Sequence, residues 1–372
     1  MAERHRPRVA VVFGGRSSEH AISCVSAGSV LRAIDREAWD VVPVGITREG
    51  RWVLAPDDPA TLEIRGTQLP EVDAAGASVV LAGDPTSRGL VVSEPGEPPR
   101  VLGEVDVVFP LLHGPYGEDG TLQGLLELAG VPYVGSGVLA SAVAMDKAVM
   151  KVLLLGAGLP VGPYVVVPPE RSATKDGTDR ALAEARSSLR LPVFVKPARA
   201  GSSVGISKVA DWSDLDVAVA MAREHDPKVL IEEGVLGREI ECGVLQDAEG
   251  ALEASVCAEI RVVGGQEFYD FAAKYLSDAT EFDVPADIST EVSDRVRGLA
   301  LAAFEALGCE GGARVDFFVG DDNAILVNEV NTIPGFTPVS MFPRVWAASG
   351  VDYPELVDRL LRAALARPTG LR

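Results

Sequence analysis

Short apolar runs rich in Val and Ile recur along this chain, and most of them are closed by glycine or by a charged side chain. Arg8–Phe13 is the first and ends in Gly14-Gly15. A continuous β-branched run of that kind reads as a strand buried on both faces, as in parallel sheets that carry helices. Asp40–Ile46 and Val105–Leu112 extend the same sheet. Thr121–Ala129 has a helical pattern that Gly130-Val131-Pro132 ends, and Tyr133-Val134-Gly135 follows as a short strand. The stretch 57–100 is rich in Pro, Gly, Asp and Ser and predicts hairpins and surface loops.

Further along, Ala142–Leu155 predicts one helix, closed by Gly156 and Gly158. Tyr164–Val167, Pro192–Lys196 and Lys228–Glu233 predict strands, with a helix over Thr178–Leu189. A last group has strands at Ile240–Leu245, Ala254–Ile260, Ala313–Val319 and Ala324–Val330, and helices at Val292–Leu307 and Tyr353–Ala366. The expectation is α/β architecture in three units, 1–140, 141–236 and 237–372, the first Rossmann-like with a parallel sheet.

Charge narrows the partners. The 372 residues carry a net charge of −20. Duplex nucleic acid and an anionic membrane would both repel such a chain. A small anion is still welcome where a few Lys, Arg and metal ions reverse the local field. The N-terminal apolar run is short and lacks a small-residue cleavage site, so no signal peptide is expected. No run reaches the ~20 apolar residues of a membrane span. Cys24, Cys242, Cys257 and Cys309 show no CxxC spacing and no nearby His, which predicts buried free thiols and a cytoplasmic setting.

Several strand ends carry chemistry. Gly14-Gly15-Arg16-Ser17-Ser18-Glu19-His20 turns out of the first strand without full GxGxxG spacing, which disfavours a dinucleotide fingerprint. Glu19 there either complements a helix dipole or faces a cleft and binds an ammonium. The loop after Val105–Leu112, His113-Gly114-Pro115-Tyr116-Gly117-Glu118-Asp119-Gly120, lies where doubly wound sheets place ligands. Its His113 is either a satisfied buried residue or a carboxylate ligand. Lys147, on a helix, reads in isolation as a solvated charge. Lys196 closes a buried strand, which is costly unless the charge is paired, and a phosphate is a natural partner. The loop Ala200–Gly205, with Ser202 and Ser203, offers amides and hydroxyls to phosphates but lacks the GK[ST] ending. In Ile231-Glu232-Glu233-Gly234 the two carboxylates point to opposite faces, so only one can enter a given site.

The sharpest cluster is C-terminal. Arg314 and Asp316 share one face of a strand, and Glu329 and Asn331 share one face of the next. If the two strands are antiparallel neighbours, Asp316, Glu329 and Asn331 converge as hard oxygen donors of the kind Mg²⁺ accepts beside substrate phosphates. Tyr269–Tyr275 reads as a lid that closes a site against water.

Seven segments in order, GGRSSEHAIS, HGPYGEDGTLQGLLELAGVPYVGSG, MDK, VKPARAGSSVG, YDFAAKYLS, GGARVDFF and LVNEVNTIPGFTPVS, resemble the D-alanine–D-alanine ligases of the ATP-grasp superfamily, from Gly14 to about Met341. The resemblance implies that ATP phosphorylates the carboxylate of one D-alanine and that the amine of a second attacks the acyl phosphate. It implies a pair of Mg²⁺ ions (or Mn²⁺) on Asp316, Glu329 and Asn331, with Lys147, Lys196, Ser202 and Ser203 on the ATP phosphates. Glu232, Glu233 and Glu239 would border adenine and ribose. Glu19 would hold the first ammonium, joined to Ser202 and Tyr275, and His113 the first carboxylate. Arg314 and the Gly335 N–H would stabilise the oxyanion. Lys274, Ser340 and Met341 would receive the second D-alanine. Tyr275 accompanies dipeptide rather than D-alanyl-D-lactate formation in that family, and Ala272 departs from its usual acidic residue. A homodimer is also implied. The competing readings are a D-lactate-using or other ATP-grasp ligase, and a non-catalytic nucleotide binder.

Overall fold

The structure, a computed structural model, describes residues 6–169, 175–201, 204–262 and 280–370. Ser202, Ser203, Ala272, Lys274, Tyr275 and the expected lid lie outside the described residues.

Three sheets carry the chain, as the alternating pattern predicts. The first is built from β1 (Arg8–Gly14), β2 (Asp40–Ile46), β3 (Trp52–Leu54), β4 (Ser78–Leu81), β5 (Gly89–Ser93), β6 (Arg100–Glu104) and β7 (Val107–Pro110), in the order β6-β5-β4-β3-β2-β1-β7. Only β2, β1 and β7 run parallel. The other pairings are antiparallel, so the sheet is mixed where a parallel one was expected. The predicted hairpins supply that antiparallel arm. Helix α1 (His20–Ala33) packs on β1, and α2 (Thr121–Leu128) follows β7. Tyr133 forms only a single bridge to Val108.

The helix expected over Ala142–Leu155 is two helices, α3 (Val138–Met145) and α4 (Lys147–Gly156). The break is chemical. Asp146 adopts an extended backbone (φ −92°, ψ 95°) and caps α4 by accepting the Val149 N–H at 3.3 Å. The Lys147 N–H then leaves the helical ladder and donates to Ala198 O at 3.0 Å.

The second sheet takes β8 (Tyr164–Val167), then α5 (Lys175–Ser188), β9 (Val193–Pro197), β10 (Ser207–Val209), α6 (Leu215–Arg223) and β11 (Val229–Glu233). All its pairings are antiparallel, in the order β10-β9-β11-β8. Period-2 alternation sorts its faces. Val165, Val193, Val195, Val229 and Ile231 pack under α5 and α6. Tyr164, Lys196 and Glu232 therefore face the other way.

The third sheet is β14-β13-β12-β15-β16, from β12 (Arg238–Gln246), β13 (Leu252–Val262), β14 (Thr280–Asp283), β15 (Gly312–Val319) and β16 (Ile325–Asn331), also antiparallel throughout. Helix α7 (Thr290–Ala306) covers one face, where Val296, Phe304, Val315, Phe317 and Val327 form the core together with Met150 and Leu154 of α4. Helices α8 (Met341–Ala348) and α9 (Tyr353–Ala366) complete the chain. They share a core with the first sheet: Leu356, Leu360 and Trp346 join Val9, Val11 and Phe109. The Phe336 ring stands 5.6 Å from Phe109 and 5.5 Å from Tyr353. That packing pins the 333–340 loop between two sheets. The four cysteines are free and buried. Among the described residues, no helix is long and apolar enough to cross a membrane.

Candidate active site

Two cavities meet between the sheets. The larger, about 770 Å³, lies between the second and third sheets and is lined by Lys147, Lys151, Lys196, Glu232, Asp316 and Glu329 among others. The smaller, about 260 Å³, opens toward the first sheet, with Glu19, His113, Arg314, Asn331, Gly335 and Ser340 on its walls. Lys147, Gly201 and Glu329 line both, so the cavities join at those residues.

Strand geometry places the acidic cluster. β15 and β16 are antiparallel neighbours, with Asp316 opposite Glu329 and Arg314 opposite Asn331. A bulge between Asp316 and Phe317 inserts Asn328. It shifts the alternation so that Ile325, Val327 and Val330 all reach the core, while Glu329 and Asn331 reach the cleft. The condition for convergence is therefore met. Arg314 grips Asp316 with two bonds of 2.7 Å, and Asn331 Nδ2 donates to Asp316 at 3.0 Å. Arg314 also lies 3.1 Å from Glu241, which sits opposite Asp316 on β12. Lys147 lies 3.3 Å from Glu329.

Three carboxylates, Glu241, Asp316 and Glu329, thus face two cations, Arg314 and Lys147. The carboxylates are turned toward these cations, and no three acidic, His or Cys side chains among the described residues form a metal cage. The donor set still fits Mg²⁺, which takes one or two carboxylates and leaves its other positions to water and phosphate. The local negative excess is what a divalent cation would neutralise.

Lys147 is buried rather than solvated, against its reading in isolation. Burial disfavours its ammonium, but Glu329 outweighs that and holds its pKa above the ordinary lysine value. Its Nζ also donates to Ala200 O at 3.0 Å. Lys196 pairs with Glu232 at 2.6 Å. Burial alone would raise the Glu232 pKa, but Lys196 and then Lys151 pull it below the usual value. Glu233, on the opposite face, binds Arg190 at 2.8 Å, although its residue still borders the cavity. Glu239 lines the same cavity.

At the amino-acid end, Glu19 occupies the N-cap position of α1 without a side-chain capping bond and is 9% exposed. Its Oε2 stands 3.1 Å from where a Cβ would sit on Gly114 and equally on Gly201. Two glycines from two units thus open the space that Glu19 occupies, and at Gly114 a φ of +71° also favours glycine. His20 is structural: its ring bonds Gly15 O at 2.7 Å and the Val72 N–H at 3.1 Å. The His113 Nδ1 bonds Ile333 O at 3.1 Å, and its buried Nε2 has no hydrogen-bond partner among the described residues. Burial lowers the His113 pKa, with Glu19 opposing. Ser340 precedes α8, and its hydroxyl accepts the Thr337 N–H at 3.1 Å instead of capping its own helix. Met341 and Gly335 line the same cavity.

Three site residues were not singled out from sequence. Glu118 accepts the Gly114 N–H at 2.5 Å, and burial together with Glu19 raises its pKa to about 8. Its place in the His113 loop was the available signal. Glu241 looks like any strand charge until β12 pairs with β15. Lys151 looks like a surface lysine, yet its side chain is 2% exposed.

Solved structures share this fold. The VanG D-Ala:D-Ser ligase from Enterococcus faecalis superposes with a TM-score of 0.83 at 35% identity, over 97% of this chain and 100% of that one. The D-alanine–D-alanine ligase from Coxiella burnetii gives 0.78 at 34% identity, over 97% and 94%. Fold and cleft together are those of an ATP-grasp ligase. Residues 8–136 match the family model described as the D-ala D-ala ligase N-terminus, and residues 153–362 the D-ala D-ala ligase C-terminus. Curated D-alanine–D-alanine ligases are similar throughout: that of Rhodococcus opacus (strain B4) is 59% identical over 372 residues, covering 99% of both chains, and that of Streptomyces griseus is 57% identical over 376, covering 100% of this chain and 96% of the other. The chain belongs to the D-alanine–D-alanine ligase family.

Proposed function

We propose that the chain joins two D-alanines into D-alanyl-D-alanine at the expense of ATP, releasing ADP and phosphate, in the synthesis of peptidoglycan precursor. The observation that carries the site assignment is the junction of the two cavities at Lys147 and Glu329. A nucleotide in the larger cavity has its terminal phosphate delivered to the mouth of the smaller.

Each residue then has a task. Lys147 and Lys196 bind phosphates, with the Ser202-Ser203 loop closing over them. Glu232 and Glu239 hold the base and ribose, with Glu233 at the border. Asp316, Glu329 and Asn331 hold two Mg²⁺ or Mn²⁺ ions, which neutralise phosphate charge when bound. Glu19 takes the first ammonium, supported by Ser202 and Tyr275, and His113 Nε2 meets the first carboxylate. Arg314 and the Gly335 N–H face the oxyanion of the tetrahedral intermediate. Lys274, Ser340 and Met341 receive the second D-alanine, with the open N-terminus of α8 behind its carboxylate. The enzyme works as a cytoplasmic homodimer on these small molecules, away from nucleic acid and membrane. ADP release with D-alanine alone, with mass detection of the dipeptide, tests the reading. Addition of D-lactate or D-serine supplies the competing acceptors. Preferential capture of either in place of D-alanine would overturn the acceptor assignment.

A further inference from the structure

The larger cavity is lined by a buried lysine, Lys151, that the proposed reaction does not use. Lys151 follows Lys147 by four residues on α4, so the two side chains lie on one face, one above the other. Lys151 Nζ lies 3.4 Å from Glu232 Oε1, whereas Lys196 Nζ lies 2.6 Å from Glu232 Oε2. One buried carboxylate thus serves two lysines, one on each oxygen. Cross-strand geometry explains the shared face. Glu232 pairs with Tyr164 on β8 and with Phe194 on β9, which places Lys196 on the diagonal. The Lys151 ammonium stands 5.6 Å from the Tyr164 ring centroid. Glu232 Oε1 has no hydrogen-bond partner among the described residues, so Lys151 holds it by charge alone.

In this arrangement the two phosphate lysines are both engaged by carboxylates, Lys147 by Glu329 and Lys196 by Glu232. Nucleotide binding has to draw Lys196 off Glu232. A buried carboxylate stripped of its only cation is strongly disfavoured, and that penalty would hold Lys196 back. A second cation on the other oxygen removes the penalty. Resting on the assignment of the larger cavity to ATP, we propose that Lys151 is a positioning residue that keeps Glu232 charge-balanced, so that Lys196 can leave it for the nucleotide's phosphates. Lys151 itself touches no reacting atom. Burial lowers its pKa, with Glu232 opposing, as expected of an ammonium kept in place by one partner.

The test is steady-state kinetics on the full-length enzyme with Lys151→Met, Glu232→Gln and the double variant, alongside calorimetric titration of ADP. Lys151→Met leaves Glu232 dependent on Lys196, and the KM for ATP and the Kd for ADP rise about tenfold or more. The KM for D-alanine moves far less. Glu232→Gln removes the charge that traps Lys196 but also alters the wall proposed for the base, so the effect of Lys151→Met is read in both backgrounds: in Glu232→Gln it lowers nucleotide affinity far less than in wild type. A purely structural lysine would lower Tm and affect nucleotide affinity equally in both backgrounds. Should Lys151→Met fail to fold, Lys151→Gln, which keeps a donor near Oε1 without the charge, is read in the same way. Unchanged ADP affinity in either single lysine variant, or an effect of Lys151→Met that is as large in the Glu232→Gln background as in wild type, overturns the proposal. Failure of the wild-type enzyme to release ADP with D-alanine would instead strike the proposed function.

Discussion

Replacing Arg314 by Met separates the charge pairing seen at this guanidinium from the oxyanion contact proposed for it. Arg314 makes two 2.7 Å bonds to Asp316 and lies 3.1 Å from Glu241, and its side chain is 14% exposed. The surrounding carboxylates, Asp316 and Glu241, hold its pKa well above the ordinary value despite burial. Removing one member of a buried ion pair costs about 3–5 kcal/mol, because the partner charge is left behind. Here two carboxylates directly opposite each other across β12 and β15 are left facing, so the upper part of that range is expected. The same change frees Asp316 for a cation. Millimolar Mg²⁺ without nucleotide should therefore raise the Tm of Arg314→Met more than that of wild type, up to ~2.7 kcal/mol of stabilisation at 100-fold excess over Kd. The proposed second task is catalytic: loss of one oxyanion donor would lower kcat about 10²–10³-fold. Differential scanning fluorimetry with and without Mg²⁺, followed by ADP release in saturating Mg²⁺ and D-alanine, reads both. Wild-type Tm in metal-free buffer would refute the charge argument. A restored Tm with unchanged kcat would remove Arg314 from the chemistry.

Other outcomes follow from single contacts. His113 is neutral near pH 7 because burial lowers its pKa, and Ile333 O takes the Nδ1–H, so a carboxylate at Nε2 must bring a proton with it. D-Alanine binding should take up about one proton and weaken as pH rises above the depressed pKa; calorimetry in buffers of different ionisation enthalpy measures this, and His113→Gln abolishes the uptake. Glu118 has a folded pKa of about 8 against an ordinary 4.5, so its stabilising state is fully present below pH 4.5 and lost as pH rises through 8. Glu118→Gln should therefore leave stability in acid unchanged and raise Tm at pH 8 and above, as a thermal melt series would record. Asp146→Ala removes the α4 cap and the ion pair to Lys228, costing about 1 kcal/mol or more and raising the KM for ATP several-fold as Lys147 loses its aim. An unchanged KM would show that the cap does not position Lys147.

Strand ends were the legible part of this chain. Lys196, Glu232, Asp316, Glu329 and Asn331 all sit on short apolar strands whose period-2 alternation tells which side chains share a face. That is enough to predict convergence once two strands are neighbours. Three features were not readable. The break at Asp146 hides because apolar periodicity runs straight through it, and the cap becomes decisive only when Ala198 O is there to take the Lys147 N–H. The mixed first sheet hides because β3 to β6 are each three to five residues long and lie in a Pro- and Gly-rich stretch. The bulge at Asn328 leaves no sign in composition, yet it sets the phase of Glu329 and Asn331.

Charge balance explains why the missed residues were missed. A lysine on a helix or a glutamate on a strand is read from sequence as solvated, because burying one alone is too costly. Lys151, Glu241 and Glu118 escape that cost through partners far away in the chain: Glu232, Arg314, and, for Glu118, a proton it keeps to about pH 8. Sequence shows each charge but not its partner, since pairing depends on which strands become neighbours. The pairings formed here are also the contacts that ATP, metal and D-alanine would replace. On the proposed reading, Lys147 would give up Glu329, Lys196 would give up Glu232, and Arg314 would share Asp316. Internal ion pairs, on that same reading, hold the cleft's lysines and arginine until the substrates' own charges take over, and the negative excess left among the carboxylates awaits a divalent cation.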